Sequence, residues 1–185
     1  MTQDEVNRQL DAGNLDFRGE ILTDIDLSSL PLNEANFDDA TLVRCNFNQA
    51  ETNGASFRKA IIEDVNFFSA RLDKAYFSNS KITRTSFVRS MASHCDFQGA
   101  TLVQINFAGA NLFGSNFEDS NLTESNFKKA DLTHSSLSRA NFNGANLTSA
   151  DLTSARVDGA DFTGAIMDDA ILNDLRGLED AIGLD

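Results

Sequence analysis

The chain has 185 residues, a length that suits one domain or one repeat array. Hydrophobic residues make up 41% of it, which is enough to bury a continuous core. The formal net charge of −13 disfavours bare nucleic acid and anionic membranes as main partners, and it suits a partner with a basic groove.

The N-terminal segment predicts a short helix and no export signal. The first residues, MTQDEVNRQL, lack the basic start and apolar run of a signal peptide, and no stretch approaches the roughly 18 apolar residues that cross a bilayer. We therefore expect a cytoplasmic protein. Thr2 followed by Glu5 is a capping-box pattern, and Val6 and Leu10 form an apolar stripe. These features predict a capping helix within residues 1–14.

From residue 15 onward the sequence repeats every five residues. Starting at Phe17 and stepping by five, the register continues without a slip to Leu172. Of these 32 positions, 30 are Leu, Phe, Ile, Val or Met, and the exceptions are Thr52 and Ala92. The position two residues earlier is Ala, Ser, Cys or Thr in 26 of the 32 cases. An internal repeat this regular decides the fold class.

A period of five fits neither the 3.6 residues of a helical turn nor the alternation of a long strand. The small and the large position are two residues apart, so they lie on the same side of a short extended segment. The two residues that follow are often Thr, Ser, Asp, Asn or Gly, which favour turns. The pattern predicts a chain that bends every five residues and buries its large side chains by stacking successive turns.

The clearest stretch reads ANFNG ANLTS ADLTS at residues 140–154. It resembles the pentapeptide-repeat family, whose pattern is A(D/N)LXX, and the resemblance covers residues 15–174. It implies an all-β solenoid, namely a right-handed quadrilateral parallel β-helix with four pentapeptides per coil. About eight coils, roughly 35–40 Å in length, and short capping helices at both ends are therefore expected.

With four pentapeptides per coil, two columns of phenylalanine are predicted on opposite faces. The first column is Phe37, Phe57, Phe77, Phe97 and Phe117. The second is Phe47, Phe67, Phe87, Phe107 and Phe127. The alternation breaks near Leu132 and Leu137, and Phe142 and Phe162 move to a neighbouring face, which predicts a local change in cross-section.

Residues that could carry chemistry are few. We expect His94 and His134 to be exposed turn residues on opposite faces. Cys45 and Cys95 occupy small inward positions, too far apart for the roughly 7 Å Cα separation of a disulfide, and are predicted to be buried thiols. The recurring Asn and Asp residues favour hydrogen bonding between coils over calcium binding. No motif for phosphate, dinucleotide or zinc-protease chemistry occurs, so we expect no catalytic residue, metal, cofactor or enzymatic activity.

Charge is distributed unevenly along the sequence. Residues 1–55 carry 11 acids and 3 bases, a net of −8, and residues 96–185 carry 14 acids and 5 bases, a net of −9. Residues 56–95 carry 3 acids and 7 bases, a net of +4. We call the basic residues of this central segment the basic belt: Arg58, Lys59, Arg71, Lys74, Lys81, Arg84 and Arg89.

The belt segment also departs most from the repeat pattern. Basic, aromatic or apolar residues stand there in place of the usual Asp, Asn, Thr or Ser, and such a composition is typical of interfaces. Neutral drift on an insensitive surface is the competing explanation. The candidate partner-binding residues are Phe68, Arg71, Tyr76, Lys81, Arg84, Val88, Arg89 and Met91. Phe113 is a further outward aromatic, about one coil on.

The C-terminal segment, residues 175–185, carries Leu175, Leu178 and Ile182 at helical spacing. It is predicted to be either a lid on the last coil or a contact between two copies of the chain. Some members of the family that the sequence resembles dimerise through this end. Both alternatives stay open.

Two functions are compatible with these features. The first is a non-enzymatic scaffold that binds a protein partner of unknown identity through the rod surface, with the belt as the recognition region. The alternative is a DNA mimic, similar to the fluoroquinolone-resistance members of the family, that binds a type II topoisomerase such as gyrase. Against the alternative, the basic belt interrupts the negative charge and the unbroken register leaves no room for projecting loops.

Overall fold

The computed structural model describes residues 1–184, which form a parallel β-solenoid preceded by one α-helix. Five strands pair in parallel in chain order: β1 (Ile21–Thr23), β2 (Thr41–Val43), β3 (Ile61–Glu63), β4 (Lys81–Thr83) and β5 (Thr101–Val103). Each strand residue pairs with the residue 20 positions on, as Leu22 does with Leu42. The predicted parallel solenoid is confirmed.

The regular strands account for about four turns of the solenoid, fewer than the eight coils expected. Outside β1–β5 the coils pair through isolated one-residue bridges, which begin at Asp16–Asn36 and end at Asp161–Ile182. The physical reason is that on the other faces a hydrogen-bonded turn begins at the inward residue itself. The N–H of Ala35 donates to the carbonyl of Leu32, for example. Three paired residues in a row therefore do not fit on those faces.

Each pentapeptide ends in a turn whose last residue has a left-handed backbone. This residue lies two positions after each inward side chain, from Gly19 to Asp174. Non-glycine residues occupy 24 of these 32 positions, with φ between 48° and 62°. Because a left-handed non-glycine residue costs roughly 1–2 kcal/mol, core burial has to offset this repeated cost.

The core consists of the two predicted phenylalanine columns, which are confirmed. Rings within a column stack with centroids 4.7–5.0 Å apart, and rings of the two columns meet edge to face at 5.6–6.1 Å. The columns end at Phe117 and Phe127. Phe142 then tilts by 55° against Phe127 and stacks on Phe162 at 4.9 Å, so the aromatic column changes face where it was expected to.

The inward residues define four faces, named here in chain order. Face A contains Phe57 and Phe77, face B contains β1–β5, face C contains Phe67 and Phe87, and face D contains Leu72, Ala92 and Leu112. Residues 20 apart in sequence occupy the same position on successive coils.

The N-terminal end is covered by α1 (Gln3–Asp11). Thr2 and Glu5 form the capping box reciprocally: the Thr2 hydroxyl accepts from the Glu5 N–H, and the Glu5 carboxylate accepts from the Thr2 N–H. Val6 is fully buried against the first coils. Within residues 1–184 no helix has the length and apolar composition to cross a bilayer. The cytoplasmic location stays a prediction.

The C-terminal end differs from the expected helix. Within residues 175–184 it contains only a 3-10 turn at Leu178–Asp180, preceded by Gly177 at φ 74°. Ile182 instead extends the ladder, because its N–H donates to Ala160 and its carbonyl accepts from Phe162. The helical assignment of Leu175, Leu178 and Ile182 is therefore wrong. Asp185, the last residue of the predicted 175–185 segment, lies outside the described residues.

Candidate partner-binding surface

The eight candidate partner-binding residues are divided among different faces of the rod. Five lie on face D or on its edge with face C: Phe68, Arg71, Val88, Arg89 and Met91. The other three lie on face A, on face B or on the edge of face B with face C: Tyr76, Lys81 and Arg84. Because the backbone passes through all four faces in 20 residues, a continuous segment of sequence encircles the rod. The belt is therefore a ring, and face D holds its largest group.

Two of the three candidates outside face D already contact other parts of the chain. The Arg58 guanidinium lies 3.8 Å from the centroid of the Tyr76 ring, which is cation–π geometry. Arg84 donates to Asp64, with Nε–Oδ1 at 2.8 Å, and also pairs with Glu63. The Arg84 side chain lowers the pKa of the Asp64 carboxyl. Both candidates are thus occupied within the rod.

Similar ion pairs between neighbouring coils recur elsewhere on the rod. Arg44 pairs with Asp24 at 2.6 Å and Arg139 pairs with Asp119 at 2.7 Å, in each case 20 residues apart. Because both partners are exposed to solvent, pairs of this kind contribute little to stability. They do reduce the local negative charge at these edges.

The outer side of face D carries exposed apolar side chains in the middle of the rod. Met91 is 44% exposed and Phe113 is 37% exposed. The Phe113 ring lies between two imidazoles, with centroid distances of 5.3 Å to His94 and 5.4 Å to His134. Gly114 separates the histidines along the edge, and a Cβ there would come within 2.7 Å of His94 Nδ1. The glycine is therefore needed for this arrangement.

The expectation that His94 and His134 lie on opposite faces is wrong. They are 40 residues apart, which is two complete coils, so they share one edge of face D. The sequence contained this information, since a separation divisible by 20 places two residues in the same column. Within residues 1–184 no group of three or more His, Cys, Asp or Glu side chains is placed to hold a metal ion. The expectation that the protein binds no metal stays a prediction.

A second feature of face D was missed from the sequence. A shallow cavity of about 270 Å³ lies along the edge between faces C and D. We call it the basic notch, and its lining residues are Val88, Arg89, Ala108, Gly109, Lys128 and Lys129. The two lysines lie outside the belt in sequence. They lie 40 residues, or two coils, after Val88 and Arg89, so the 20-residue coil predicts that all four residues share one edge.

The cysteines are free, and each is 1% exposed. Burial raises the pKa of both thiols. The Cys95 thiol donates to the carbonyl of Leu72 at 3.0 Å. A protonated thiol that packs in the core is a poor nucleophile, so these residues serve the interior.

Comparison with protein-family models matches pentapeptide repeats, in eight copies, at residues 31–67 and 125–164. A second model, described as a pentapeptide repeat region, matches residues 60–137. Together the two models match residues 31–164 without a gap. A search of curated protein sequences found no match.

The chain is similar to several solved structures. HetL, a pentapeptide repeat protein involved in heterocyst differentiation regulation in the cyanobacterium Nostoc, is 21% identical, with 98% of this chain and 96% of HetL covered and a TM-score of 0.43. Full-length QnrB1, a plasmid-mediated fluoroquinolone resistance protein, is 16% identical over 87% of this chain and 92% of QnrB1, with a TM-score of 0.48. A pentapeptide repeat protein of the cyanobacterium Cyanothece is 16% identical over 98% and 99%, with a TM-score of 0.30. With identities under 25% and TM-scores under 0.5, these likenesses carry no argument about this chain.

Proposed function

Since the chain belongs to the pentapeptide-repeat family, we propose that it is a non-enzymatic scaffold that binds a protein partner through the middle of face D. The observation that carries the proposal is the grouping there of exposed Met91 and Phe113 with Arg89, which has no ion-pair partner within residues 1–184. Aromatic residues, Met and Arg are the side chains enriched at protein interfaces. A rod of hydrogen-bonded coils also loses little conformational entropy on binding.

The other faces support this choice by contrast. On face B the exposed Ile21 and Ile61 are two coils apart, and single exposed β-branched residues are normal on strands. On face C the outward positions form amide ladders, in which Asn126 Nδ2 donates to Asn106 Oδ1 at 3.1 Å. Those side chains are already satisfied by their neighbours.

A comparison of two matched double variants tests the proposal. Met91→Asp/Phe113→Asp adds two carboxylates to face D, and Thr41→Asp/Ile61→Asp adds two to face B. All four positions are exposed or half-buried, so both proteins should keep the wild-type melting temperature within a few degrees. Partners captured from the source cell by the wild type should be lost with the first variant and kept with the second. Equal recovery by all three proteins would count against face D.

The alternative, a DNA mimic that binds a type II topoisomerase, is favoured by the net charge of −13 and by the acids on either side of the belt. Two features weaken the DNA-mimic alternative: the ion pairs of Arg44, Arg84 and Arg139, and the basic notch. Their positive charges interrupt the negative charge along the rod. A gyrase supercoiling assay decides the matter. If micromolar protein neither inhibits supercoiling nor relieves quinolone poisoning, the alternative fails.

We further propose that the C-terminal end forms a homodimer contact. Leu178 and Ile182 are 48% and 56% exposed, and Leu172, an inward position, is 37% exposed. Exposed apolar residues at an open solenoid end call for a cover. A lid formed by the chain itself would leave these side chains less exposed.

A further inference from the structure

We propose that the basic notch binds an acidic segment of the protein partner, with a carboxylate seated over Gly109 between Arg89 and Lys129. The inference rests on the proposed scaffold function, because it names the chemistry of the partner at the edge of face D. It concerns residues that the belt did not include, namely Lys128 and Lys129.

The backbone of the notch is fixed by the ladder between coils. The Arg89 N–H donates to Ala108 at 3.1 Å, and the Gly109 N–H donates to Lys128 at 2.9 Å. Arg89, Gly109 and Lys129 occupy the same turn position on three successive coils. At about 4.8 Å per coil, the two cationic residues begin roughly 10 Å apart, which lets both side chains reach one anion between them.

Gly109 creates the gap between the two cations. A Cβ at this position would meet only Arg89 Cγ, at 3.8 Å, so a side chain would fit and the space is open. The half-buried Val88 and Ala108 form an apolar side of the cavity. Apolar walls reduce competition from water and strengthen a charge-assisted hydrogen bond.

The three cations of the notch have no ion-pair or side-chain hydrogen-bond partner in the described part of the chain, whereas six arginines elsewhere pair with carboxylates. The adjoining outward positions on face C are neutral, at Ser86, Asn106 and Asn126. On the face D side, the Asp131 carboxylate accepts from the Thr133 N–H at 3.0 Å and from its hydroxyl at 2.6 Å. The notch is thus an uncompensated positive site on a rod of net charge −13.

This charge pattern favours a short acidic protein segment over a nucleic acid. A long polyanion lying along the edge between faces C and D would extend from the notch to Asp168 and Asp169, which lie two coils beyond Lys128 and Lys129. Repulsion falls off within about 8–10 Å at physiological salt, so a segment of a few acidic residues escapes most of it.

A hexaglutamate peptide titrated into ¹⁵N-labelled full-length protein tests the proposal. We expect saturable shifts of the Arg89, Gly109 and Lys129 amides, with an affinity that falls as salt is raised. Two notch variants should bind about tenfold more weakly: Lys128→Gln/Lys129→Gln, which removes charge, and Gly109→Gln, which fills the gap. Gln49 adopts φ 57° at the same turn position three coils earlier, so glutamine suits this backbone.

The control is Lys59→Gln/Arg176→Gln, which removes equal charge from exposed positions elsewhere on the rod and should leave the affinity unchanged. Equal weakening by control and notch variants, or shifts spread over all faces, would overturn the proposal. Tighter binding of an oligonucleotide with the same number of charges would overturn the choice of an acidic protein segment. If the peptide fails to bind while partner capture still depends on Met91 and Phe113, the scaffold function stands and the notch assignment is wrong.

Discussion

The middle of the rod and its last coil carry the same repeat, yet they bury it differently. Phe57, Phe87 and Phe107 are completely buried, with rings stacked on both sides, whereas Met167 is half-buried and Leu172 is exposed at equivalent inward positions. The difference arises because the last coil has a neighbouring coil on one side only. In a solenoid an inward side chain is buried only when coils lie on both sides of it, or when another element replaces one coil.

The two ends show the same point. At the N-terminus α1 covers the first coils and Val6 is fully buried. At the C-terminus the backbone ladder continues to Ile182 and leaves apolar side chains exposed. A helix closes one end, whereas at the other end we propose that a second copy of the chain provides the cover.

The largest expected effect contrasts a middle position with an end position. Phe107→Asp places an unpaired carboxylate between Phe87 and Phe127, which stack on Phe107 at 4.9 and 5.0 Å. The cost should be several kcal/mol, a large part of a typical total stability of about 5–15 kcal/mol. We expect the rod to unfold or to melt far below the wild type by circular dichroism. Met167→Asp, at the half-buried equivalent, should lower the melting temperature by only a few degrees, and similar losses in both variants would contradict the comparison.

Association through the open end should respond to charge. In Leu178→Asp/Ile182→Asp both changed side chains are exposed, so the folding stability should change by less than about 0.5 kcal/mol each. We expect sedimentation velocity to show a concentration-dependent dimer for the wild type and a monomer for the variant. A wild type that stays monomeric at high concentration would favour a lid over a dimer contact.

Thiol reactivity compares the two regions without changing charge. Cys95 lies in the middle, and its burial raises the pKa of its thiol, so alkylation of the folded protein should be slow. A cysteine introduced as Ala170→Cys, at the equivalent small inward position of the last coil, should react much faster, because Ala170 is only half-buried. Mass spectrometry of timed iodoacetamide reactions measures both rates. Equal rates would mean that the end coil is as closed as the middle.

The smallest expected effect concerns the ion pairs between middle coils. Arg84 lowers the pKa of the Asp64 carboxyl below its ordinary value of 3.8. A lowered folded-state pKa adds stability above that ordinary value, and this contribution is lost as the pH falls through the folded-state pKa. The wild type should therefore lose slightly more stability than Arg84→Gln between about pH 5 and pH 2. Parallel pH profiles for the two proteins would show that the pair contributes nothing.

Much of the fold could be predicted because the inward side chains repeat with an exact period. Thirty-two positions in one register leave little choice about which side chains face inward, and the phenylalanine columns follow from their spacing. The capping box of Thr2 and Glu5 is equally local. The prediction of a C-terminal helix was wrong. Leu175, Leu178 and Ile182 fit a helical stripe, but backbone hydrogen bonds between Ile182 and the preceding coil determine the structure there.

The candidate surface was predicted less well, since the face on which a residue lies depends on its place within the 20-residue coil and not on its place along the sequence. Grouping residues 56–95 by sequence joined Tyr76 and Arg84, which lie on other faces, to Met91 and Arg89. The same grouping left out Lys128 and Lys129, two coils beyond Val88 and Arg89. His94 and His134 were separated for the same reason, although Phe113 lies between them.

The most direct test of face D as the recognition surface is site-specific photo-crosslinking in the source cell. A benzophenone analogue of phenylalanine placed at Phe113 on face D, or at Ile61 on face B, changes an exposed side chain without altering the core. We predict a discrete crosslinked partner from position 113 and none from position 61. The same product from both positions, or a product from position 61 alone, would contradict the account.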